Sequence, residues 1–150
     1  ILDFKQKVYQ HYLTSLNDKI NALQNTLHEL SDSAKNETKS TAGDKHETAL
    51  AMLQIEQENT RQKYKEASEQ KVQLEKINIK LISSQIIKGS LIKTNKGHFF
   101  LSVALGKTMI DDIPVIAISP QSPLGAKLIG LNENDTAEIN GIIYTVESII

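Results

Sequence analysis

The chain has 150 residues, 39% of them hydrophobic, and its 17 Lys and Arg against 18 Asp and Glu give a net charge of −1. Cysteine is absent, which excludes disulfides, thiolate catalysis and a cysteine-based metal site. The balanced charge argues against tight nucleic-acid binding by the chain alone. No apolar run approaches the roughly 18 residues of a membrane span, and the N-terminus lacks a signal-peptide pattern. We therefore expect a cytoplasmic protein that contacts no membrane.

The first segment carries a heptad pattern, typical of a helix that packs along another helix. Polar residues occupy many of the intervening positions, as expected of a solvated outer face. Neither proline nor glycine interrupts the pattern. The predicted seam steps by alternating fours and threes through Leu2, Gln6, Tyr9, Leu13, Leu16, Ile20, Leu23, Leu27, Leu30 and Ala34.

A second helix is predicted after a polar segment. From Ser31 to Gly43 the composition changes to residues typical of a loop. The helix then extends from about Asp44 to Asn78, and two arms of about 33 residues would each measure roughly 50 Å. We expect residues 1–78 to form an antiparallel coiled-coil hairpin with its tip at about residues 36–47. The weaker second seam consists of Leu50, Leu53, Gln57, Thr60, Tyr64, Ala67, Lys71 and Leu74.

After residue 78 the pattern changes to period two and to β-branched residues. Asn95-Lys96-Gly97 and Asn140-Gly141 each lie between apolar runs and predict hairpins. Ile113–Ile118 predicts a further strand, and Pro123–Ile129 predicts a short helix ended by a glycine. Residues 79–150 are therefore predicted to form a small antiparallel β-sheet domain with one short helix, which makes the chain α+β.

The second helix opens on Gly43-Asp44-Lys45-His46-Glu47, which allows two compatible interpretations. In a capping box, Asp44 accepts a backbone N–H and Glu47 reaches back towards the helix start. Alternatively, the two carboxylates are presented to a partner and help it to hold Mg²⁺, which keeps most of its waters and takes other ligands elsewhere. Two protein ligands alone would make a poor metal site, so such a site would be shared.

Other candidate residues carry weaker signals. His46 is interpreted as a solvated histidine, with a role as proton donor or ligand as the alternative. Arg61, Lys63 and Lys65 form a small basic cluster that is interpreted as a solvated helix face, with contact to RNA or an acidic protein as the alternative. The remaining histidines are scattered and lack metal-ligand spacing.

Two motifs of the chain are informative when they are taken together. One is Gly43, Asp44 and Glu47 at the tip of an N-terminal helical hairpin. The other comprises Ile118-Ser119-Pro120-Gln121-Ser122-Pro123-Leu124-Gly125-Ala126-Lys127-Leu128-Ile129-Gly130, Asp135, Ile139-Asn140-Gly141 and Tyr144-Thr145-Val146. Together they resemble the GreA/GreB family of transcription elongation factors, whose C-terminal domain has Ser-Pro, a small residue, two apolar positions and Gly, followed by Gly-Asp and a closing hairpin.

The resemblance implies an accessory factor of RNA polymerase, not an enzyme by itself. Its coiled coil would enter the secondary channel, where Asp44 and Glu47 would share a Mg²⁺ with the polymerase and promote cleavage of backtracked RNA. No cofactor would be bound stably, no small molecule would be a substrate, and nascent RNA would be contacted only within the complex. The FKBP-like C-terminal domain would contact the polymerase through Ser119, Pro120, Ser122 and Pro123.

The chain departs from the family pattern after Glu47, where Thr48-Ala49-Leu50-Ala51 replaces the usual Asn-Ala-Glu-Tyr. Asn134 also stands where the family has the glycine before Asp135. A channel-binding modulator without cleavage activity is therefore one alternative. A coiled-coil adaptor is another, and an FKBP-type prolyl isomerase is a third, although the C-terminal half offers only Phe99, Phe100 and Tyr144 as pocket aromatics.

Overall fold

The computed structural model describes residues 3–38 and 43–150, without the side chains of residues 38 and 43–46. The described residues form three helices and six strands. In chain order these are α1 (Phe4–Thr38), α2 (Gly43–Glu75), β1 (Leu91–Thr94), β2 (Gly97–Leu101), β3 (Gly106–Ile110), β4 (Ile113–Ile118), α3 (Pro123–Leu128), β5 (Thr136–Ile139) and β6 (Ile142–Ile149). This is the predicted α+β class. None of the described helices is long and apolar enough to span a membrane.

Contacts divide the chain into two compact units. One comprises Thr14–Lys71 and contains most of α1 and α2; the other comprises Ile1–Leu13 and Val72–Ile150 and contains the sheet. The domain boundary predicted at residues 78 and 79 stays a prediction. The contacts group the first turns of α1 and the last turn of α2 with the sheet.

In the helical unit, α1 and α2 pack together as a hairpin, as the heptads predicted. The predicted seam residues of α2 are buried or half-buried from Leu50 onward, while most of their neighbours are exposed. Ala67 is fully buried, and Gln24 Nε2 donates a hydrogen bond of 3.0 Å to the Tyr64 hydroxyl across the pair. Most seam residues are half-buried because each helix of a two-helix hairpin is covered on one side only.

Both helices differ from their predicted bounds. The predicted loop from Ser31 is wrong over its first part, because α1 continues to Thr38. No proline or glycine interrupts this stretch, and Ser31 and Ala34 remain half-buried one turn apart. Helix α2 ends at Glu75, three residues before the predicted Asn78.

The sheet has the strand order β3-β4-β2-β1-β6-β5. Both predicted hairpins are confirmed, β1 with β2 and β5 with β6. Asn140 and Gly141 both have positive φ, of 52° and 80°, as a tight hairpin turn requires. The predicted strand at Ile113–Ile118 and the short helix from Pro123 are also confirmed.

The sheet is mostly antiparallel, as predicted, but β2 pairs with β4 in parallel. The missed strand β3 explains the difference. It forms an antiparallel hairpin with β4, and β4 lies between β3 and β2 in the sheet. Strand β3 begins with glycine and lysine and is mostly exposed, so it lacks the apolar alternation that identifies a strand.

The two faces of the sheet are covered by different helices. On one face, α3 contributes Leu128 to a hydrophobic core cluster, which also contains Ile86, Ile92, Leu101, Ala137, Val146 and Ile149. Successive side chains of a strand point to opposite faces, and Phe100, beside Leu101, stacks on Tyr12 of α1 with ring centroids 6.3 Å apart. The first turns of α1 therefore belong to the core of the sheet unit.

The start of α1 is fixed by a capping box that the sequence analysis did not identify. The Gln6 backbone N–H donates to Asp3 Oδ1 at 2.8 Å, and the Asp3 N–H donates to Gln6 Oε1 at 3.0 Å. Lys5, Val8 and Tyr12 follow as a buried row beside the predicted seam. Because this row begins with a lysine, the sequence pattern does not identify it as a buried face.

Candidate functional site

The loop between β4 and α3 contains the four residues predicted to contact a polymerase. Ser122 is the N-cap of α3, and its Oγ accepts a hydrogen bond from the Gly125 N–H at 3.0 Å. The same hydroxyl donates to the Ser119 carbonyl oxygen at 2.7 Å. That carbonyl also accepts the Ser122 N–H at 3.0 Å. Pro123 occupies the first turn of α3, where the N–H that proline lacks has no helical partner.

The second serine of the loop holds the turn before the cap. Ser119 Oγ accepts the Gln121 N–H at 2.9 Å and donates to Gln121 Oε1 at 2.7 Å. Each serine hydroxyl therefore has an acceptor for its proton inside the loop. Among the described residues, neither hydroxyl is bonded to a general base that would activate it as a nucleophile. This segment is a hydrogen-bonded surface loop.

Gly125 allows this loop to close on the helix. A Cβ at this position would overlap the Ser119 carbonyl oxygen and lie 2.8 Å from Ser122 Oγ. Its backbone N–H is also the donor to the cap. At the other end of α3, Gly130 has φ +86° and donates its N–H to the Ile86 carbonyl at 2.8 Å. Gly125 and Gly130 are thus each required for a different structural reason, a close approach at the first and a positive φ at the second.

Ser119, Pro120, Ser122 and Pro123 lie together on one short loop. Pro123 is exposed and the other three are half-buried. The polar groups of the loop bond to one another, and its proline rings have fixed backbone angles. Contact between this loop and a polymerase stays a prediction.

The predicted carboxylate pair lies at the start of α2. Glu47 is exposed on the helix. Helix α2 begins at Gly43, one residue before the predicted N-cap, so Asp44 is within its first turn. The side chains of Asp44 and His46 lie outside the described part of the chain, so the capping box and the shared Mg²⁺ site stay predictions. Among the described residues, no group of three or more His, Cys, Asp or Glu could hold a metal ion.

The basic cluster on α2 lies on a solvated face. Arg61 Nη1 is 3.6 Å from Glu58 Oε2, and both side chains are more than half exposed. Lys63 and Lys65 are exposed as well. Such surface pairs contribute little to stability.

Comparison of the chain with protein-family models, with curated proteins and with solved structures finds no match. A function for this chain must therefore be inferred from its own residues and from the fold in which they lie.

Proposed function

We propose that this protein is a Gre-like accessory factor of RNA polymerase. Its hairpin tip, at about residues 36–47, enters the secondary channel and stimulates cleavage of backtracked RNA. The supporting observation is that residues of the C-terminal motif bond to one another in the fold. Ser119, Ser122 and Gly125 form one hydrogen-bonded loop and cap, which precedes α3 and the β5–β6 hairpin. A packed helical hairpin precedes this domain, in the order that the family resemblance requires.

In this proposal the protein supplies ligands and the polymerase performs the reaction. Asp44 and Glu47 are three residues apart in α2, a spacing that places two positions on the same side of a helix. Carboxylate oxygens suit Mg²⁺, and two of them leave its other positions for water, the polymerase and RNA. Bound there, Mg²⁺ would supply the second ion of two-metal phosphodiester cleavage. The chain's own carboxylates would hold the Mg²⁺ and orient the water bound to it. The protein acts in the cytoplasm.

Replacing both carboxylates in the Asp44→Ala/Glu47→Ala variant is expected to abolish stimulated cleavage while polymerase binding is retained. The measurement is the rate of transcript shortening in a stalled, backtracked complex of purified polymerase. Glu66→Ala/Glu69→Ala is the matched control, because it removes the same charge at the same spacing from the same helix. The control variant and the wild-type protein should give the same rate of transcript cleavage by the polymerase.

Two outcomes would change the proposal. Equal cleavage by wild type and by the Asp44/Glu47 variant, with binding intact, would favour a channel-binding modulator. Failure of the protein to recover RNA polymerase in a pull-down, with and without residues 36–47, would contradict polymerase binding itself. It would favour a coiled-coil adaptor, for which Met52 and Ile55 on α2, 62% and 61% exposed, offer an apolar contact surface.

A further inference from the structure

A groove in the sheet unit has no role in the proposed function. It has a volume of about 390 Å³ and lies between the start of α1 and the segment that follows α2. Its size is within the range of small-molecule sites. The apolar part of its wall comes from Phe4, Ile79, Ile82 and Ile150. Ile82 is 67% exposed, so this wall is open to an incoming ligand.

Lys5 gives the groove a specific polar group. The residue is only 5% exposed and lines the groove. Its Nζ lies 3.4 Å from the carbonyl oxygen of Leu81. In the sequence, Leu81 stands between two residues that line the groove, Lys80 and Ile82. This long contact is its only hydrogen bond within residues 3–38 and 43–150, although an ammonium has three donors. Burying a cation with so few partners is unfavourable.

The wall of the groove carries two lysines, Lys5 and Lys80, and one carboxylate, Asp3. Burial lowers the pKa of the Lys5 amine, and the nearby Asp3 carboxylate opposes that shift. Asp3 Oδ1 already accepts the Gln6 N–H as the cap of α1. Lys80 adds a second positive charge to the groove wall. The groove therefore combines an under-bonded cation with an aliphatic surface.

We propose that this groove binds a small aliphatic carboxylate, with the carboxylate on Lys5 Nζ and the alkyl group against Ile79, Ile82 and Ile150. A carboxylate would provide the acceptors that the ammonium lacks, and charge-assisted bonds are stronger than neutral ones. The branched alkyl group would cover apolar side chains that water now contacts.

The test uses the whole chain without polymerase, so its result is separate from that of the proposed function. The probe is 4-methylpentanoate, and the readout is the methyl NMR signals of the groove isoleucines. We expect saturable shifts at Ile79, Ile82 and Ile150 and none at Ile143, which lies on β6. The amide 4-methylpentanamide should bind about 10-fold to 100-fold more weakly, since a hydrogen bond between charged groups is lost.

Lys5→Met retains the alkyl stem and removes the ammonium. It should weaken the binding of 4-methylpentanoate by about the same 10-fold to 100-fold. Lys96→Met, an exposed lysine in the β1–β2 turn, is the matched control and should bind as wild type. An unchanged or higher unfolding temperature of Lys5→Met would show that the loss of binding is not a loss of folding. The proposal is overturned if wild type shows no saturable shift, or if acid and amide, or wild type and Lys5→Met, bind equally.

A further arm identifies the source of the carboxylate. N-acetyl-glycyl-leucine presents the same branched alkyl group and carboxylate as the end of a peptide. Tighter binding of this peptide than of 4-methylpentanoate would assign the groove to a protein C-terminus. Tighter binding of the free acid would assign it to a small metabolite of that class.

Discussion

Gly125→Ala is expected to lower the free energy of unfolding of the sheet unit by about 2–4 kcal/mol, the combined cost of overpacking and of a lost N-cap. The new Cβ would overlap the Ser119 carbonyl oxygen, which is backbone and cannot rotate away. To relieve this overlap, the loop must move from α3 and break the bond between the Gly125 N–H and Ser122 Oγ. Urea unfolding followed by circular dichroism would measure the change.

Gly130→Ala is the matched control, at the other end of the same short helix. A Cβ there would meet no atom within 4 Å, but the backbone has φ +86°. We expect a cost of about 1–2 kcal/mol from the left-handed conformation alone. Equal losses in the two variants would contradict the steric role of Gly125. If the loop is also the polymerase contact, Gly125→Ala should weaken polymerase recovery more than Gly130→Ala does.

Tyr12→Phe is expected to lower the free energy of unfolding by about 0.5–1.5 kcal/mol, because it removes a buried hydroxyl that donates to two backbone carbonyls. The Tyr12 hydroxyl lies 2.7 Å from the Gly106 carbonyl oxygen and 3.2 Å from that of Val115. These bonds join α1 to the β3–β4 pair. Tyr144→Phe is the control, since the Tyr144 hydroxyl has no hydrogen bond to the described residues, and it should change stability by less than about 0.5 kcal/mol.

The same tyrosine predicts how stability varies in alkali. Burial raises the pKa of Tyr12 from 10.0 to about 12. Above pH 10 the unfolded chain therefore loses this proton before the folded chain does, and stability falls as pH rises. The contribution of Tyr12 is fully present below pH 10 and is lost by about pH 12. Unfolding free energies measured across this window should decline less steeply in Tyr12→Phe than in wild type.

The sequence predicted those parts of the fold that depend on local pattern. The seam through Leu53, Tyr64 and Ala67 needed only the heptad step, and the Asn140-Gly141 hairpin needed only its turn residues. Strand β3 was missed because it is mostly exposed and lacks the apolar alternation of a strand. The parallel pairing of β2 with β4 depends on the order of strands in the sheet, which no local pattern encodes.

The candidate site was likewise predictable from the sequence only in part. The residues of the Ser119–Gly125 loop were identified from their order in the chain, but the closeness of Gly125 to the Ser119 carbonyl depends on the folded turn. Lys5 was missed for a related reason. A lysine in a polar helix is expected to face water, and only the packing of the first turns of α1 within the sheet unit shows that it is buried.

The packing of α1 also determines how this protein can be divided. Strand β3 is an edge of the sheet, and unprotected edges are where chains pair and aggregate. Lys7 bonds to Asp111 at 2.8 Å, His11 to Thr108 at 2.8 Å and Tyr12 to Gly106, so α1 follows this edge. A fragment that begins at residue 79 would lose this cover and expose Phe100. We therefore expect a fragment of residues 79–150 to be less stable than one that keeps both parts of this unit, residues 1–13 and 72–150.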